Sequence, residues 1–140
     1  MPLTLTATEG VFPKGTERQV FQRLCEAMLK WHGLTGNPAM TRNVVGSINI
    51  LPQDLTYAGL EQNTVVFIEW KVPSLAFSTP QIVQGYVEEA TRIAAEASLG
   101  KQPVERIWVN VLHATDGAWG IAGKAFTNQE LGEAIASAGA

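Results

Sequence analysis

Pro2-Leu3-Thr4-Leu5-Thr6-Ala7-Thr8 decides how the rest of the chain is read. Leu3, Leu5 and Ala7 fall on one side of an extended chain, and Pro2, Thr4, Thr6 and Thr8 on the other. A period of two marks a strand with one face toward a core. Helical spacing follows from Lys14 to about Leu34, with Val20, Phe21, Leu24, Cys25, Met28 and Leu29 on one face. Thr16-Glu17-Arg18-Gln19 reads as a capping box, and Gly33 and Gly36 stop the helix. Val44 to Leu51 returns as a strand that Pro52-Gln53-Asp54 ends, so residues 2–51 form a βαβ unit.

The second half repeats the plan over about residues 64–121. Thr64 to Val72 is rich in β-branched and aromatic residues and predicts a strand. Thr79-Pro80 predicts a helix start, with threonine as cap and proline in the first turn. Ile82, Val83, Tyr86, Val87, Ala90, Ile93, Ala94 and Ala97 form its apolar stripe, and Gly100 closes it. Arg106 to His113 predicts the last long strand, and Asp116-Gly117 turns into a short strand at Trp119–Ile121. A tail from about residue 124 to 140 includes a weakly amphipathic helix, capped by Thr127 with Glu130 three residues on. The predicted fold class is α/β (α+β), one domain over residues 1–140. Two right-handed βαβ units make a four-stranded mixed sheet with two helices on one face.

Composition narrows the function. The chain has 140 residues, 46% of them hydrophobic, and a net charge of −3. These values predict a globular domain with no basic footprint for nucleic acid. No apolar run reaches transmembrane length, no polybasic stretch suits a membrane surface, and no secretory signal pattern is present. The single cysteine, Cys25, allows no intramolecular disulfide and fits a reducing cytoplasm. His32 and His113 stand alone, so no metal is expected. Gly120-Ile121-Ala122-Gly123 lacks the spacing and following helix of a phosphate loop.

Alternation leaves a mixed sheet face opposite the helices: Pro2, Thr4, Thr6, Ser47, Asn49, Glu69, Lys71, Trp108 and Asn110. Such a face can be solvated, but Leu51, Phe67 and Trp108 are much apolar area to leave wet, and packing against further copies is the alternative. Pro2 is the chemically suggestive member. Cells trim an initiator methionine that precedes a small residue, and trimming leaves Pro2 with a free secondary amine. A free α-amine titrates near pH ~8, and desolvation lowers it toward the neutral range that proton transfer needs.

Several stretches carry a family likeness. Leu34-Thr35-Gly36-Asn37-Pro38, Leu51-Pro52-Gln53-Asp54-Leu55-Thr56-Tyr57-Ala58-Gly59 and Arg106-Ile107-Trp108-Val109-Asn110 resemble the branch of the tautomerase superfamily that contains macrophage migration inhibitory factor. Thr8-Glu9-Gly10 and Trp119-Gly120-Ile121-Ala122-Gly123 resemble 4-oxalocrotonate tautomerase. The likeness spans about residues 2–123. It implies a homotrimer with inter-subunit active sites and cofactor-free keto–enol tautomerisation of a small carbonyl compound. It implies Pro2 as the base, Asn110 near the substrate and Trp119 as an aromatic wall; sheet-face hydrogen bonding and hairpin packing are the plain alternatives for the latter two.

Other positions depart from the resemblance. Val11 stands where an arginine follows Glu-Gly, Trp108 replaces another on the last strand, and Asn37 replaces a lysine. The segment Lys71-Val72-Pro73-Ser74-Leu75-Ala76-Phe77 lacks the paired arginines of haloacrylate dehalogenases. Lys71 is the remaining cation on the Pro2 face, to be weighed against an ion pair with Glu69; Arg42 and Lys124 read as loop charges. A neutral or monocarboxylate substrate fits this set better than a dicarboxylate. Two other readings stand beside the tautomerase. One is a hydratase, dehalogenase or decarboxylase using protonated proline as acid. The other is a non-catalytic oligomeric binding protein, should Met1 persist and leave Pro2 an amide.

Overall fold

The computed structural model describes residues 1–139. Strand β1 (Pro2–Thr8) leads to helix α1 (Glu17–Trp31), a short helix α2 (Pro38–Asn43) and strand β2 (Val45–Leu51). A small hairpin, β3 (Tyr57–Ala58) and β4 (Glu61–Gln62), links the halves. Strand β5 (Val66–Pro73), helix α3 (Pro80–Ala97) and strand β6 (Ile107–Ala114) form the second unit. A second hairpin, β7 (Trp119–Ile121) and β8 (Lys124–Phe126), precedes helix α4 (Asn128–Gly139).

The sheet order is β2-β1-β5-β6. Strands pair in parallel within each unit, and β1 meets β5 antiparallel at the centre. The mixed four-stranded sheet therefore has the expected form. Alternation works as the sequence implies: Leu3, Leu5, Ile68, Trp70 and Val72 are fully buried. They pack with Leu24 and Met28 of α1 and with Tyr86 and Ala90 of α3 in one core. Two glycines permit the close approaches. A Cβ at Gly46 would lie 1.9 Å from the Leu3 carbonyl oxygen, and one at Gly85 would lie 2.2 Å from the Trp31 ring. The first sets the β1–β2 spacing and the second the α1–α3 contact.

The buried polar atoms are satisfied locally. The Trp70 indole N–H donates to the Tyr86 hydroxyl at 2.6 Å, and that hydroxyl donates to the Leu24 carbonyl at 3.2 Å. Sheet, α3 and α1 are thereby joined through one residue. His32 closes another junction: its Nε2 accepts from the Phe77 N–H at 2.9 Å, holding the left-handed turn (φ 51°) after β5.

Several local expectations change. The capping box at Thr16 does not form. A tight turn from Pro13 to Thr16 swings the Thr16 hydroxyl back to donate to the Pro13 carbonyl at 2.7 Å, and Glu17 instead accepts from the Gly15 N–H. Helix α1 is accordingly shorter at both ends than its periodic pattern. Thr79 does cap α3, accepting from the Ile82 N–H at 3.2 Å. The tail's box forms as read: Glu130 accepts from the Thr127 N–H at 3.0 Å and Thr127 from the Glu130 N–H at 3.2 Å. Helix α2 has too few residues for periodicity to register. Its caps are nonetheless present in the sequence, with Pro38 in the first turn and the Asn37 carboxamide oxygen accepting from the Met40 N–H at 3.0 Å. The two-residue strands of the first hairpin and strand β8 also lie below the length at which alternation is readable. No helix among the described residues is long and apolar enough to cross a membrane.

Tyr86→Phe should lower unfolding stability by about 1–3 kcal/mol, because it leaves a buried indole N–H without an acceptor. Urea unfolding measures it; an unchanged stability would mean that the Trp70 N–H finds another partner.

Candidate active site

Pairing register arranges the exposed sheet face in rungs. Pro2 lies beside Val45 on β2, and Lys71 lies beside Leu112 on β6. The β1–β5 ladder pairs Leu3 with Trp70, so its next step sets Pro2 beside Lys71. The top rung therefore reads Val45, Pro2, Lys71, Leu112. Below it lie Ser47, Thr4, Glu69 and Asn110, about 7 Å away at two residues per step. Asn49, Thr6, Phe67 and Trp108 form the third rung, about 13 Å from the first.

A cleft of about 520 Å³ opens over the top rung, lined by Pro2, Val45, Lys71, Leu112 and Trp119 among others. The structure thus brings together Pro2, Lys71 and Trp119. Asn110 sits one rung lower, and Trp108 two rungs lower and half exposed, at 53%. Neither lines this cleft. Val45 and Leu112 are apolar walls absent from the sequence-derived site. Alternation puts Leu112 on this face, but only the strand order shows that Val45 flanks Pro2 and Leu112 flanks Lys71.

Charge at the site is sparse. Lys71 is exposed and makes no ion pair among the described residues, Glu69 included. Lys124 pairs with Glu130 at 3.0 Å, and Arg42 lies in the last turn of α2 outside the cleft lining. Val11, where the resemblance has an arginine, is buried in the core, so that position offers no cation to a substrate. His113 also borders the cleft, with its Nε2 at 2.8 Å from the Ala76 carbonyl. Among the described residues no group of three or more metal-binding side chains occurs.

Met1 lines the site from a buried position. It is 7% exposed and belongs to the core cluster. Its amine donates to the Asn43 carbonyl, and its own carbonyl accepts from the Val45 N–H at 3.3 Å. Burial pushes the amine down from 8.0 to about 6. Burial at the position next to Pro2 thus disfavours the charged form of an amine.

Backbone comparison places this arrangement. A fused 4-OT described as an asymmetric trimer superposes with a TM-score of 0.74 at 16% identity, covering 94% of this chain and 99% of that one. A member of the cis-3-chloroacrylic acid dehalogenase family gives 0.71 at 16%, covering 98% and 99%. A malonate semialdehyde decarboxylase inhibited by 3-bromopropiolate gives 0.65 at 15%, covering 87% and 89%. The chain has the tautomerase fold. All three structures are of tautomerase superfamily members, and they span several chemistries on the one scaffold. No family model and no curated protein matches the sequence. At these identities the likeness to tautomerase structures concerns the fold, and the chemistry rests on the residues around Pro2.

The amine gives a pH signature for the Met1-bearing chain. Its folded value, about 6, lies below the 8.0 of the unfolded chain. Between those values the unfolded chain takes up a proton that the folded chain does not, so stability should fall as pH drops from about 8 to about 6 and then level off in this respect. Urea unfolding across that range reads the slope, and NMR titration of isotope-labelled Met1 assigns it. An amine midpoint near 8 would contradict the burial.

Proposed function

We propose that this protein, once Met1 is removed, is a cofactor-independent tautomerase of the tautomerase superfamily. It moves a proton between oxygen and carbon of a small enolisable carbonyl compound, with Pro2 as general base. The observation that carries this reading is the seat of Pro2: the first residue of a central strand, in a mostly apolar cleft, beside the unpaired cation Lys71. Loss of Met1 converts the Pro2 amide into a secondary amine, one residue from the place where burial already pushes the Met1 amine down. Lys71 supplies a single positive charge for one carboxylate, and Trp119 and Leu112 add apolar wall to the cleft.

The step balances without a cofactor. The Pro2 nitrogen accepts the hydroxyl proton of the enol, and the O–H electron pair becomes the carbonyl π bond. The former C=C pair takes a proton from the proline ammonium at carbon, and the amine ends as it began. Asn110 and Trp108 lie below the cleft of their own subunit. Their proposed role is toward a neighbouring copy. The half-exposed Val45, Trp108 and Leu112 on the sheet face support a homotrimer that covers them. The trimeric fused 4-OT has the same fold.

Glu69 favours a second reading. It stands one rung below Lys71, beside Asn110, where a carboxylate can position water while a protonated proline acts as acid. That arrangement would serve hydration, dehalogenation or decarboxylation of a small acid, and hydration of an acetylenic acid or release of halide or carbon dioxide separates it from isomerisation.

Pro2→Ala should cut enol-to-keto conversion of a phenylenolpyruvate-type probe by about 10²–10⁴-fold while the oligomer persists. Intact mass spectrometry must first show that Met1 is absent. Full activity in the variant, or a native protein that keeps Met1, would remove Pro2 as the base. Lys71→Met should raise KM for a monocarboxylate enol with little change in kcat.

A further inference from the structure

Met1 is joined to the Pro2 nitrogen, so its atoms lie where a substrate must lie for that nitrogen to act. Its carbonyl carbon adjoins the nitrogen, and its carbonyl oxygen takes the Val45 N–H at 3.3 Å. This bond is the first of the β1–β2 ladder, since Pro2 pairs with Val45. Removing Met1 leaves the Val45 N–H as an unpaired backbone donor beside the amine. The Met1 side chain, an unbranched run of about four heavy atoms, is buried against α2, β7 and α4. It shares a residual space of about 40 Å³ with Met40, Leu75, Trp119, Ile121, Leu131 and Ile135. The wall is apolar apart from Asn43, whose carbonyl holds the Met1 amine, and the α4 side of it is fixed by Asn37. That side chain caps α2 through its oxygen and donates through Nδ2 to the Ile135 carbonyl at 3.0 Å.

The geometry points to a second subsite on the far side of Pro2 from Lys71. We infer that the chamber vacated by Met1 takes an unbranched apolar tail of about four heavy atoms, and that the Val45 N–H binds the substrate's carbonyl or enolate oxygen. This rests on the reading of Pro2 as base. The substrate class is then a straight-chain 2-oxo acid and its enol: carboxylate toward Lys71, oxygen on the Val45 N–H, C3 at the Pro2 nitrogen, tail in the chamber. A backbone donor aimed at the oxygen strengthens as charge develops there. An apolar chamber rewards each methylene it covers.

The test uses the processed chain, with loss of Met1 verified by mass. Binding of straight-chain 2-oxo acids from pyruvate to 2-oxononanoate is measured by calorimetry, and the turnover of their enols by absorbance. Affinity should rise about fourfold per methylene as far as about 2-oxoheptanoate and then stop rising. Leu131→Trp, which fills the chamber, should end the rise two or three methylenes earlier and leave pyruvate binding as it was; Met40→Ala should extend the rise to longer tails. The Val45 amide proton should move downfield and gain exchange protection when 2-oxoheptanoate binds, by NMR. A flat series on an active enzyme, or an unmoved Val45 amide, overturns the subsite and leaves the tautomerase standing. A rising series with no turnover keeps the subsite and removes Pro2 as base. Neither binding nor turnover with any member overturns both.

Discussion

The central position of β1 is the constraint on which the rest depends. It pairs on both edges, parallel to β2 and antiparallel to β5, and it is the seam along which the two βαβ units join. A strand so placed cannot slip by one residue without turning Leu3 and Leu5 out of the core. Its register is therefore fixed from its first residue onward. Gly46 belongs to the same constraint, because any side chain there would strike the Leu3 carbonyl and force β2 away. Pro2 owes its place between Val45 and Lys71 to this register, with no contribution from its own side-chain hydrogen bonding.

The helix face and the open face of the sheet are built by different physics. On the helix side, apolar burial is closed by a few satisfied polar links, of which Trp70–Tyr86–Leu24 is the deepest. On the open side, a wholly polar middle rung lies between two rungs that mix polar and apolar residues, and Trp108 and Leu112 stay half exposed. A core face that stays dry and a second face that is chemically mixed are what allow one scaffold to carry several reactions among its structural relatives. In this chain the mixed face holds one unpaired cation and one carboxylate on neighbouring rungs, Lys71 and Glu69, rather than a cluster of arginines.

The C-terminal elements give the site its individual character. Strand β7 brings Trp119 to the cleft, and α4 packs beside α2 so that Leu131 and Ile135 face the buried Met1. Asn37 ties these pieces together with both ends of its carboxamide. A residue that reads in sequence as the loss of a lysine is, in the fold, a bracket between two helices.

The two βαβ units, the dry and mixed faces and the seating of Pro2 and Lys71 on one face are legible in the sequence by itself. They follow from periods of two and of 3.6, which are local properties of the backbone. The Thr127–Glu130 cap and the Thr79 cap are legible for the same reason. The capping box at Thr16 misleads because a preceding turn takes its hydroxyl, a competition that residue types alone do not reveal. Asn110 and Trp108 share the face of Pro2, yet they stand one and two rungs away, since alternation assigns a side and says nothing of height. What only the tertiary structure decides is nonlocal: the order β2-β1-β5-β6, the Val45 and Leu112 walls, and the closing of α2 and α4 around Met1. These depend on which surfaces dock across the chain, and short elements such as α2 and β8 acquire their shape from that docking rather than from a pattern of their own.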